Sequence, residues 1–589
     1  MWSKPSLIQV NGVMKEETIN IERQLNVKYT KEKVKYTINI FHFLMPVVTF
    51  DYNDFINILG YKISKDELIE RLPMIGASLE KVEEDEISIE FFPDRPDLAS
   101  VEGIARASRA FFEFEIGLKK YDIKKSDIVM NVDPSVKKVR PLVVTALVKN
   151  VTMTDELIAS LMGLQEKLHL GLGRNRKKVA IGVHNFEPVK PPFTYKAVDP
   201  DSVSFVPLNK VESMTMSEIL KKHEKGVDYA FIIEGFDKHP LIVDKYNNVL
   251  SYPPIINGSL TEVTPFTTDL FIDVTGNDRK AINYALNIVV TSLAERGGQI
   301  YSTTINDEGI SYISPDLIPQ KRELSVDYVN KILGTKLNGK EIIACLKKMG
   351  YNIIELNKDK LSVEIPAWRA DILHEIDLVE DVSVGYGYDE FEIDLPRHMT
   401  FGKELQNRSF YNALRSIMIG LGFNEVTTFT ISNEQDEFIK MGLKVGDRVQ
   451  IDNPIGEEYS CLRVGLIPSL LKILNENRHH PLPQQIFELG IAVGKNFKNQ
   501  YYLSFVKIDA KANFTECKSL IDAVMRDSGT KYDIKNNDHP AFVEGRCASV
   551  ICNNKEIGVF GELHPKTITN FELEYPIIVF EVRADMFKQ

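Results

Sequence analysis

Long apolar runs and paired cysteines are both missing from this chain. No run approaches the roughly 18 to 20 consecutive apolar residues that a membrane span needs, and the N-terminus lacks the charged, apolar and small-residue order of a signal peptide. The five cysteines are scattered without a CxxC pair, which argues against a zinc knuckle and fits buried thiols in a reducing compartment. We therefore expect a cytoplasmic protein with no membrane association.

An excess of positive charge is also absent. The formal net charge of −12 excludes a generally basic nucleic-acid coat, although local Lys and Arg can still bind phosphates. One basic patch exists, "GRNRKK" at 173–178, and its alternative interpretation is a solvated loop. The phosphate loop GxxxxGK[ST], the metalloprotease HExxH and the GxSxG elbow are missing. These absences disfavour a self-contained Mg²⁺-dependent phosphoryl-transfer enzyme.

Length and local patterns indicate a multidomain α+β protein. With 589 residues the chain suits roughly three to five domains, since single cores seldom exceed about 250 to 300 residues. A second methionine, Met45, opens "MPVVTFDYNDFINILG", and we expect translation to begin there rather than at residue 1. The segments we predict are 1–44, 45–125, 126–315, 316–396 and 397–589.

Hydrophobic periodicity predicts how each segment folds. Ser64 and Glu67 form an S-x-x-E capping box before a helix. Strands and helices mix between 126 and 315, with "DELIASLMGLQEKLHL" as an amphipathic helix and "LFIDVTG" as a strand. After residue 397 alternating strands predict an antiparallel sheet flanked by helices.

Carboxylates concentrate in one short stretch, "IPAWRADILHEIDLVEDVSVGYGYDEF". On a helix Asp377, Glu380 and Asp381 share a face, where like charges repel by a few tenths of a kcal/mol per pair. Asp371 precedes or begins this helix. Oxygen ligands suit a hard cation such as Mg²⁺ or Ca²⁺; the alternatives are a solvated acidic face, or a face turned to basic groups such as Arg369.

Four segments in order resemble the β-subunit family of phenylalanyl-tRNA synthetase, of the archaeal and eukaryotic type. The resemblance runs from Met45 to the C-terminus, and the family usually has Asn where Asp94 stands. The segments are "DRPDLASVEGIAR", "GRNRKKVAIGVHNFE" with "KPPFTYKAVDP", "YPPIINGSLTEVT" with "LFIDVTGND", and "IPAWRADILHEIDLVEDVSVGYGYDE".

The resemblance implies an enzyme of two α and two β chains that attaches phenylalanine to its tRNA with ATP and Mg²⁺. Segment 126–315 is then an editing-like α/β domain, and 316–396 a small winged-helix-like α+β domain with the acidic helix. Segment 397–589 is a class II synthetase-like antiparallel domain that is catalytically inactive. It contains a motif-2-like region from "EEYSCLRVGLIPSLL" to "IFELG", but no glycine-rich stretch ending in Glu-Arg.

The resemblance also implies an editing site that hydrolyses tyrosine wrongly joined to the tRNA. Such a site is physically reasonable because a hydrophobic pocket discriminates poorly against one added hydroxyl. The implied pocket groups are Ser251, Asn257, Asp273 and Thr275, with Ile242 as a wall and His184 at the tRNA end.

The remaining implied site residues bind tRNA phosphates and a cation. The phosphate contacts are Arg174, Arg176, Lys177 and Lys178, and the Mg²⁺ ligands are Asp371, Asp377, Glu380 and Asp381. The partners would be the α subunit and tRNA. The alternative function is a non-catalytic tRNA-binding and assembly scaffold without editing activity.

Overall fold

A computed structural model describes residues 37–38, 46–357, 359–393, 395, 400–494 and 497–587. The chain divides into two compact units, one of residues 43–395 and one of residues 396–589 with 1–42. The predicted extension 1–44 lies outside the described residues, apart from a two-residue strand, β1 (Thr37–Ile38). Across the described part of the chain, no helix combines the length and the apolar character needed to cross a bilayer.

The first unit begins with a three-stranded antiparallel sheet in the order β2-β4-β3. Only the Ser64 half of the predicted capping box forms: the Ser64 side chain accepts the N–H of Glu67 at 3.2 Å and caps the second helix. The Glu67 carboxylate pairs with Arg71 at 2.8 Å. The elements are β2 (Val47–Asp51), α1 (Tyr52–Leu59), α2 (Lys65–Arg71), β3 (Ala77–Val82), β4 (Glu86–Phe91) and α3 (Val101–Phe111).

Two larger sheets follow, a five-stranded sheet ordered β5-β16-β7-β15-β8 and a seven-stranded sheet ordered β14-β13-β12-β9-β6-β17-β18, and β10 pairs with β11 in a separate two-stranded sheet. Apolar residues of both sheets and of the two long helices share one core. The strands are β5 (Ile123–Lys124), β6 (Val129–Val132), β7 (Leu142–Lys149), β8 (Val179–Asn185), β9 (Phe193–Val198), β10 (Ser204–Phe205), β11 (Met214–Thr215), β12 (His239–Val243), β13 (Val249–Tyr252), β14 (Ile256–Asn257), β15 (Leu270–Gly276), β16 (Gln299–Tyr301), β17 (Thr303–Asp307) and β18 (Ile310–Ser314). The helices are α4 (Asp155–Leu170), α5 (Met216–Lys222), α6 (Glu224–Tyr229) and α7 (Arg279–Glu295).

A small α+β module closes the first unit. Its three antiparallel strands lie in the order β19-β21-β20, and an apolar core joins them to its helices. The elements are β19 (Gln320–Ser325), α8 (Val326–Leu333), α9 (Gly339–Lys348), β20 (Asn352–Asn357), β21 (Lys360–Ile365) and α10 (Glu375–Tyr386). The last of these is the predicted acidic helix.

The second unit contains a seven-stranded sheet ordered β22-β26-β27-β31-β30-β29-β28. Its pairs are antiparallel except β22 with β26, which confirms the predicted antiparallel sheet. The strands are β22 (Asn424–Glu425), β23 (Ile431–Ser432), β24 (Gln450–Ile451), β25 (Cys461–Leu462), β26 (Gln484–Val493), β27 (Asn499–Ile508), β28 (Asp533–Asn536), β29 (Phe542–Cys552), β30 (Lys555–Leu563) and β31 (Ile577–Arg583). The helices are α11 (Arg408–Gly420), α12 (Ile467–Glu476), α13 (Phe514–Asp527) and α14 (Pro565–Asn570).

All five cysteines are buried and unpaired, as their scattered spacing predicted. Burial raises the pKa of the Cys461 thiol to about 12 and that of Cys547 to about 11. Because the thiolate is the reactive form, these residues act as small core hydrophobes.

Glu437 is a buried carboxyl in the second unit, on the π-helical turn Gln435–Ile439. Its Oε2 accepts the N–H of Val464 at 2.9 Å. Burial raises the pKa of Glu437 to about 7, because the backbone hydrogen bond offsets only part of the desolvation. A carboxyl with a raised folded-state pKa stabilises the fold below its unfolded pKa of about 4.3, and that stabilisation is lost as the pH rises through about 7.

Glu437→Gln is therefore expected to stabilise the second unit increasingly as the pH rises from 5 to 8. The amide keeps an oxygen for the Val464 N–H and removes the charge, so the gain in unfolding free energy approaches about 3 kcal/mol at pH 8. Urea unfolding of both proteins across this pH range measures the difference. A difference that does not change with pH would contradict the raised pKa.

Candidate functional site

A buried hydrogen-bonded chain crosses the antiparallel pair β8 and β15, where Asp273 lies opposite Gly182. The Nε2 of His184 contacts the Oδ2 of Asp273 at 2.7 Å, and its Nδ1 contacts the Oγ1 of Thr261 at 2.8 Å. His184 is 0% exposed and Asp273 1%. The Thr261 hydroxyl also donates to the carbonyl of Gly258 at 3.3 Å. The imidazole thus fixes the orientation of the carboxylate.

Gly182 leaves the space that this pair occupies. A Cβ at residue 182 would lie 2.1 Å from the Oδ2 of Asp273 and 2.7 Å from the Nε2 of His184. Both distances are far below van der Waals contact. The position therefore requires glycine because the carboxylate lies directly over the strand.

Gly182→Ala is expected to displace Asp273 and to lower the rate of any reaction that uses this carboxylate by about 10- to 100-fold. The measurement is the rate of that reaction in the variant and in the unsubstituted protein. Gly235→Ala is the matched control, since its Cβ would meet nothing within 4 Å. Equal activity of the two variants would show that the carboxylate has no part in the reaction.

Ser251 and Asn257 are brought together by the register of two short strands, β13 and β14. The Ser251 hydroxyl donates to the Oδ1 of Asn257 at 3.2 Å, and the Asn257 amide donates to the carbonyl of Val183 at 3.3 Å. Asn257 therefore links the strand hairpin to β8, one residue from His184.

A cavity of about 310 Å³ is lined by Ser251, Asn257 and Asp273. This volume is at the lower end of the roughly 300 to 1,000 Å³ found for ligand pockets, which suits a group of amino-acid size. Other polar and charged lining residues are Gln165, Glu166, His169, Arg176, Asn209, Lys225, Thr261 and Glu262, and the apolar ones include Met153, Ile158, Leu161, Met162, Ile181, Val183 and Val263. The cavity thus combines an apolar wall with a few convergent polar groups.

The other three predicted pocket residues are fully buried in the layer around this cavity. Ile242 belongs to the shared core and lies opposite Ser251 in the strand pair. The Thr275 hydroxyl accepts the Nε–H of Arg140 at 2.9 Å. His184 is fully enclosed, so it is not placed to touch a tRNA end, and it contacts Asp273 instead.

The basic loop separates into exposed and buried side chains. Arg174 and Lys177 are exposed, whereas Lys178 is half-buried and pairs with Asp278 at 3.2 Å. Arg176 was predicted to contact a tRNA phosphate, but its side chain is buried. Its guanidinium pairs with Glu166 at 2.9 Å and donates to the carbonyl of Ile255 at 2.9 Å.

Two of the four predicted cation ligands, Asp371 and Asp381, bind an arginine of the same chain. Arg369 donates to both oxygens of Asp371, at 2.8 and 2.6 Å, and to Asp381 at 2.6 Å. The Tyr351 hydroxyl donates to the same oxygen of Asp381. The basic group that was one of the three alternatives for this acidic stretch is therefore supplied by the chain itself.

The other two acidic residues do not complete a cation site. Asp377 accepts the N–H groups of Leu373 and His374 at 2.7 and 2.6 Å, before the start of α10. Glu380 is exposed overall, but the desolvation of its carboxyl on the protein side and, after that, the neighbouring carboxylates raise its pKa. Over the described residues, no cluster of three or more His, Cys, Asp or Glu is arranged to hold a metal. Mg²⁺ at these four residues would have to displace Arg369, so the arrangement does not fit the ion.

The motif-2-like region of the second unit contains a fully engaged arginine. Arg463 is 2% exposed. It donates from Nε to the carbonyl of Ile491 at 2.8 Å, from Nη1 to Thr428 at 2.6 Å and from Nη2 to Glu488 at 2.8 Å. Each of its three nitrogens has a protein acceptor.

Three residues of the site were missed from sequence. The missed residues are Gly182, Thr261 and His169. Gly182 lies two residues before the predicted His184 in the strand "VAIGVHN", a spacing that places both on the same face. Thr261 lies in "GSLTEVT", where no local pattern indicates its contact with a histidine 77 residues away. His169 is the last but one residue of a helix that was predicted, but no pattern in the sequence indicates that its side chain is buried.

Comparison with known proteins places these features in one family. Residues 393–584 match the family model described as "Phenylalanyl tRNA synthetase beta chain CLM domain", and residues 322–388 match "tRNA synthetase B5 domain". A phenylalanine-tRNA ligase beta subunit of Methanosarcina barkeri is 47% identical over 91% of this chain and 98% of its own length. The corresponding protein of Archaeoglobus fulgidus is 44% identical over 92% of this chain and 99% of its own length.

A solved structure agrees with this result. It is an N-terminal fragment of the phenylalanyl-tRNA synthetase beta subunit from Pyrococcus horikoshii, with 38% identity and a TM-score of 0.56. The match covers 58% of this chain and 99% of the fragment. On this identity and nearly complete coverage of its relatives, the chain belongs to the phenylalanine-tRNA ligase beta-subunit family.

Proposed function

We propose that this chain joins an α subunit in an assembly of two α and two β chains that attaches phenylalanine to its tRNA. Family membership supports this proposal, because the relatives are named as beta subunits of that ligase. ATP is then a substrate of the assembly, and Mg²⁺ is the cation that the reaction requires. The acidic helix has no part in this proposed chemistry, since Arg369 binds the carboxylates of Asp381 on the helix and of Asp371 before it. The cytoplasm, where tRNA is charged, is the proposed location.

The second unit supplies assembly rather than chemistry in this proposal. The enclosed guanidinium of Arg463 and the missing glycine-rich Glu-Arg stretch both support an inactive synthetase-like domain at 397–589. The test is ATP–pyrophosphate exchange with phenylalanine, for the purified chain and for the chain reconstituted with α. Exchange is expected only in the reconstituted assembly, and exchange by the chain alone would refute this division of labour.

The cavity is the proposed editing site within the 126–315 domain. Its single strongest support is that Ser251 and Asn257, from the paired strands β13 and β14, line one cavity of amino-acid size together with Asp273 from β15. We infer that it hydrolyses tyrosyl-tRNA. The oxygen of a water forms a bond to the ester carbonyl carbon, the bond to the ribose oxygen breaks, and a proton from the water passes to that ribose oxygen.

The polar groups have distinct roles in this hydrolysis. The Asp273 carboxylate, fixed by His184, accepts an O–H of the water or of the tyrosyl phenol. Ser251 and Asn257, hydrogen-bonded to each other, present further oxygen and nitrogen groups to the bound ester. The apolar lining encloses the aromatic ring. A site with polar partners for the hydroxyl would discriminate against phenylalanine, whose ring would leave them unpaired.

The exposed Arg174 and Lys177 are the proposed tRNA phosphate contacts. Removing one phosphate contact weakens binding uniformly and reduces the slope of log K against log salt by about 0.7 to 0.9. Lys177→Gln is therefore expected to reduce the magnitude of that slope by about 0.7 to 0.9, the value for one phosphate contact. The measurement is tRNA binding at several salt concentrations. An unchanged slope would remove Lys177 from the interface.

A non-catalytic scaffold is the second candidate. One observation favours it, namely that His184, Ser251 and Asn257 already have hydrogen-bond partners within the protein. A scaffold would leave tyrosyl-tRNA intact while still supporting phenylalanine charging. Hydrolysis of tyrosyl-tRNA by the reconstituted assembly separates the two candidates.

A further inference from the structure

His169 lines the proposed editing cavity and is 2% exposed. Its Nε2 accepts the backbone N–H of Ile181 at 2.8 Å. Its Nδ1 has no hydrogen-bond partner among the residues that the structure describes. Because Nε2 accepts, the hydrogen of the neutral ring is on Nδ1. Burial and the nearby charge of Arg176 lower the pKa of His169 well below its usual range, so the ring is neutral at physiological pH.

A buried donor without a partner is unfavourable, and such groups in native proteins commonly mark a ligand or functional site. His169 is the last but one residue of α4, and its carbonyl accepts the backbone N–H of Arg176 at 3.2 Å. Arg176 also lines the cavity, and the exposed Arg174 and Lys177 flank it in sequence. This side of the cavity is therefore continuous with the basic loop.

The charges and hydrogen-bond donors near His169 and Arg176 indicate which part of a ligand would bind on this side of the cavity. Exposed cations attract the phosphates of a nucleic acid, and the group that follows the last phosphate of an aminoacyl-tRNA is the terminal ribose. One ribose hydroxyl carries the ester, and the other is a free, uncharged acceptor. A neutral N–H donor matches that hydroxyl, whereas Asp273 on β15 can bind only donors when it is ionised.

We propose that the Nδ1–H of His169 donates to the free ribose hydroxyl next to the ester of a bound aminoacyl-tRNA. The contact makes His169 a positioning residue, because it fixes the ribose and thereby the ester relative to Asp273. The inference rests on the proposed editing function and adds the contact by which the nucleotide end is held.

Two variants separate this contact from a structural role. The amide of Gln overlays Nε2 of histidine, so His169→Gln keeps an acceptor for the Ile181 N–H and loses the donor at Nδ1. The amide of Asn overlays Nδ1, so His169→Asn keeps the donor and loses the acceptor. A purely structural His169 would make the Asn variant the more damaging of the two for binding.

The probe is adenosine whose ribose carries a tyrosyl group in amide linkage at the 3′ position, so that it resists hydrolysis. Its binding to the reconstituted assembly is measured by calorimetry, with and without the 2′-hydroxyl. We expect His169→Gln to weaken binding of the intact probe about tenfold, the cost of one neutral hydrogen bond. Removing the 2′-hydroxyl should cost about the same in the unsubstituted protein and almost nothing in the Gln variant. His169→Asn should bind within about threefold of the unsubstituted protein, with a lower Tm.

Two results would overturn the inference. One is an additive effect, in which the 2′-hydroxyl is worth as much in the Gln variant as in the unsubstituted protein. The other is a His169→Asn variant that folds but binds more weakly than His169→Gln. Hydrolysis assays distinguish this failure from that of the proposed function: an unsubstituted assembly that leaves tyrosyl-tRNA intact overturns both, whereas active hydrolysis with additive binding effects overturns only the role of His169.

Discussion

Asp273→Asn is expected to lower the rate of tyrosyl-tRNA hydrolysis by the assembled enzyme about 100-fold or more. The two side chains have the same shape, so the variant removes the negative charge and one acceptor with little change in volume. Asp273 is the carboxylate that His184 holds in the cavity lining, and an amide there cannot accept a proton from water. Phenylalanine charging and assembly with α should be unchanged, because the cavity belongs to the first unit.

The matched control is Asp269→Asn, one residue before the same strand. Asp269 is half-buried and lies 3.7 Å from Lys149, and its Oδ1 accepts the N–H of Asn150 at 3.2 Å. Its substitution should leave hydrolysis within about twofold. Equal loss in both variants would indicate a general change in the domain, and normal hydrolysis by Asp273→Asn would place the reaction elsewhere.

Arg369→Met is expected to destabilise the small module by about 3 to 5 kcal/mol, the usual cost of removing one partner from a buried ion pair. Arg369 is 3% exposed and contacts the carboxylates of Asp371 and Asp381. Burial alone would lower the pKa of Arg369, but the adjacent carboxylates raise it well above its usual range. Methionine would leave the buried Asp381 and the half-buried Asp371 without the guanidinium that donates to both. Hydrogen exchange of α10 in the full chain measures the loss.

Two comparisons make this prediction specific. Lys360→Ala removes an exposed pair with Glu323 in the same small module and should cost less than about 1 kcal/mol. The triple variant Arg369→Met, Asp371→Asn, Asp381→Asn should recover much of the lost stability, since it leaves no buried charge. Protection of α10 in the unsubstituted chain by Mg²⁺, but not by NaCl of equal ionic strength, would contradict the arginine-centred cluster.

Local structure was predictable where the periodicity is strong. The helix Asp155–Leu170 and the strand Leu270–Gly276 have the predicted bounds, and Ser64 caps its helix. These signals depend on neighbours within a few residues along the chain. The antiparallel sheet of the second unit followed in the same way from alternating strands.

The site itself was only partly predictable, because its contacts depend on strand register. His184 and Asp273 are 89 residues apart and meet only because β8 pairs with β15. Position within a motif likewise does not reveal burial: Thr275 was expected in the pocket lining and Arg176 at a tRNA phosphate, and both side chains are buried. Their polar groups are used inside the protein instead.

The acidic helix shows why charge spacing alone is ambiguous. Helical spacing placed Asp377, Glu380 and Asp381 on one face, but Asp381 is buried while Glu380 is exposed. Asp371 lies before the helix, and the turn "WRAD" brings Arg369 between it and Asp381. The compensating charge was thus only two residues from the first carboxylate, in a contact that no periodicity encodes.

The most direct test of the editing proposal is the rate of tyrosyl-tRNA hydrolysis by the chain reconstituted with its α partner, measured beside phenylalanyl-tRNA and corrected for spontaneous hydrolysis. A cavity with polar partners for the phenol predicts rapid hydrolysis of the tyrosyl ester and much slower hydrolysis of the phenylalanyl ester. Hydrolysis of tyrosyl-tRNA at the spontaneous rate, by an assembly that charges phenylalanine normally, would contradict the account and leave the chain as a scaffold.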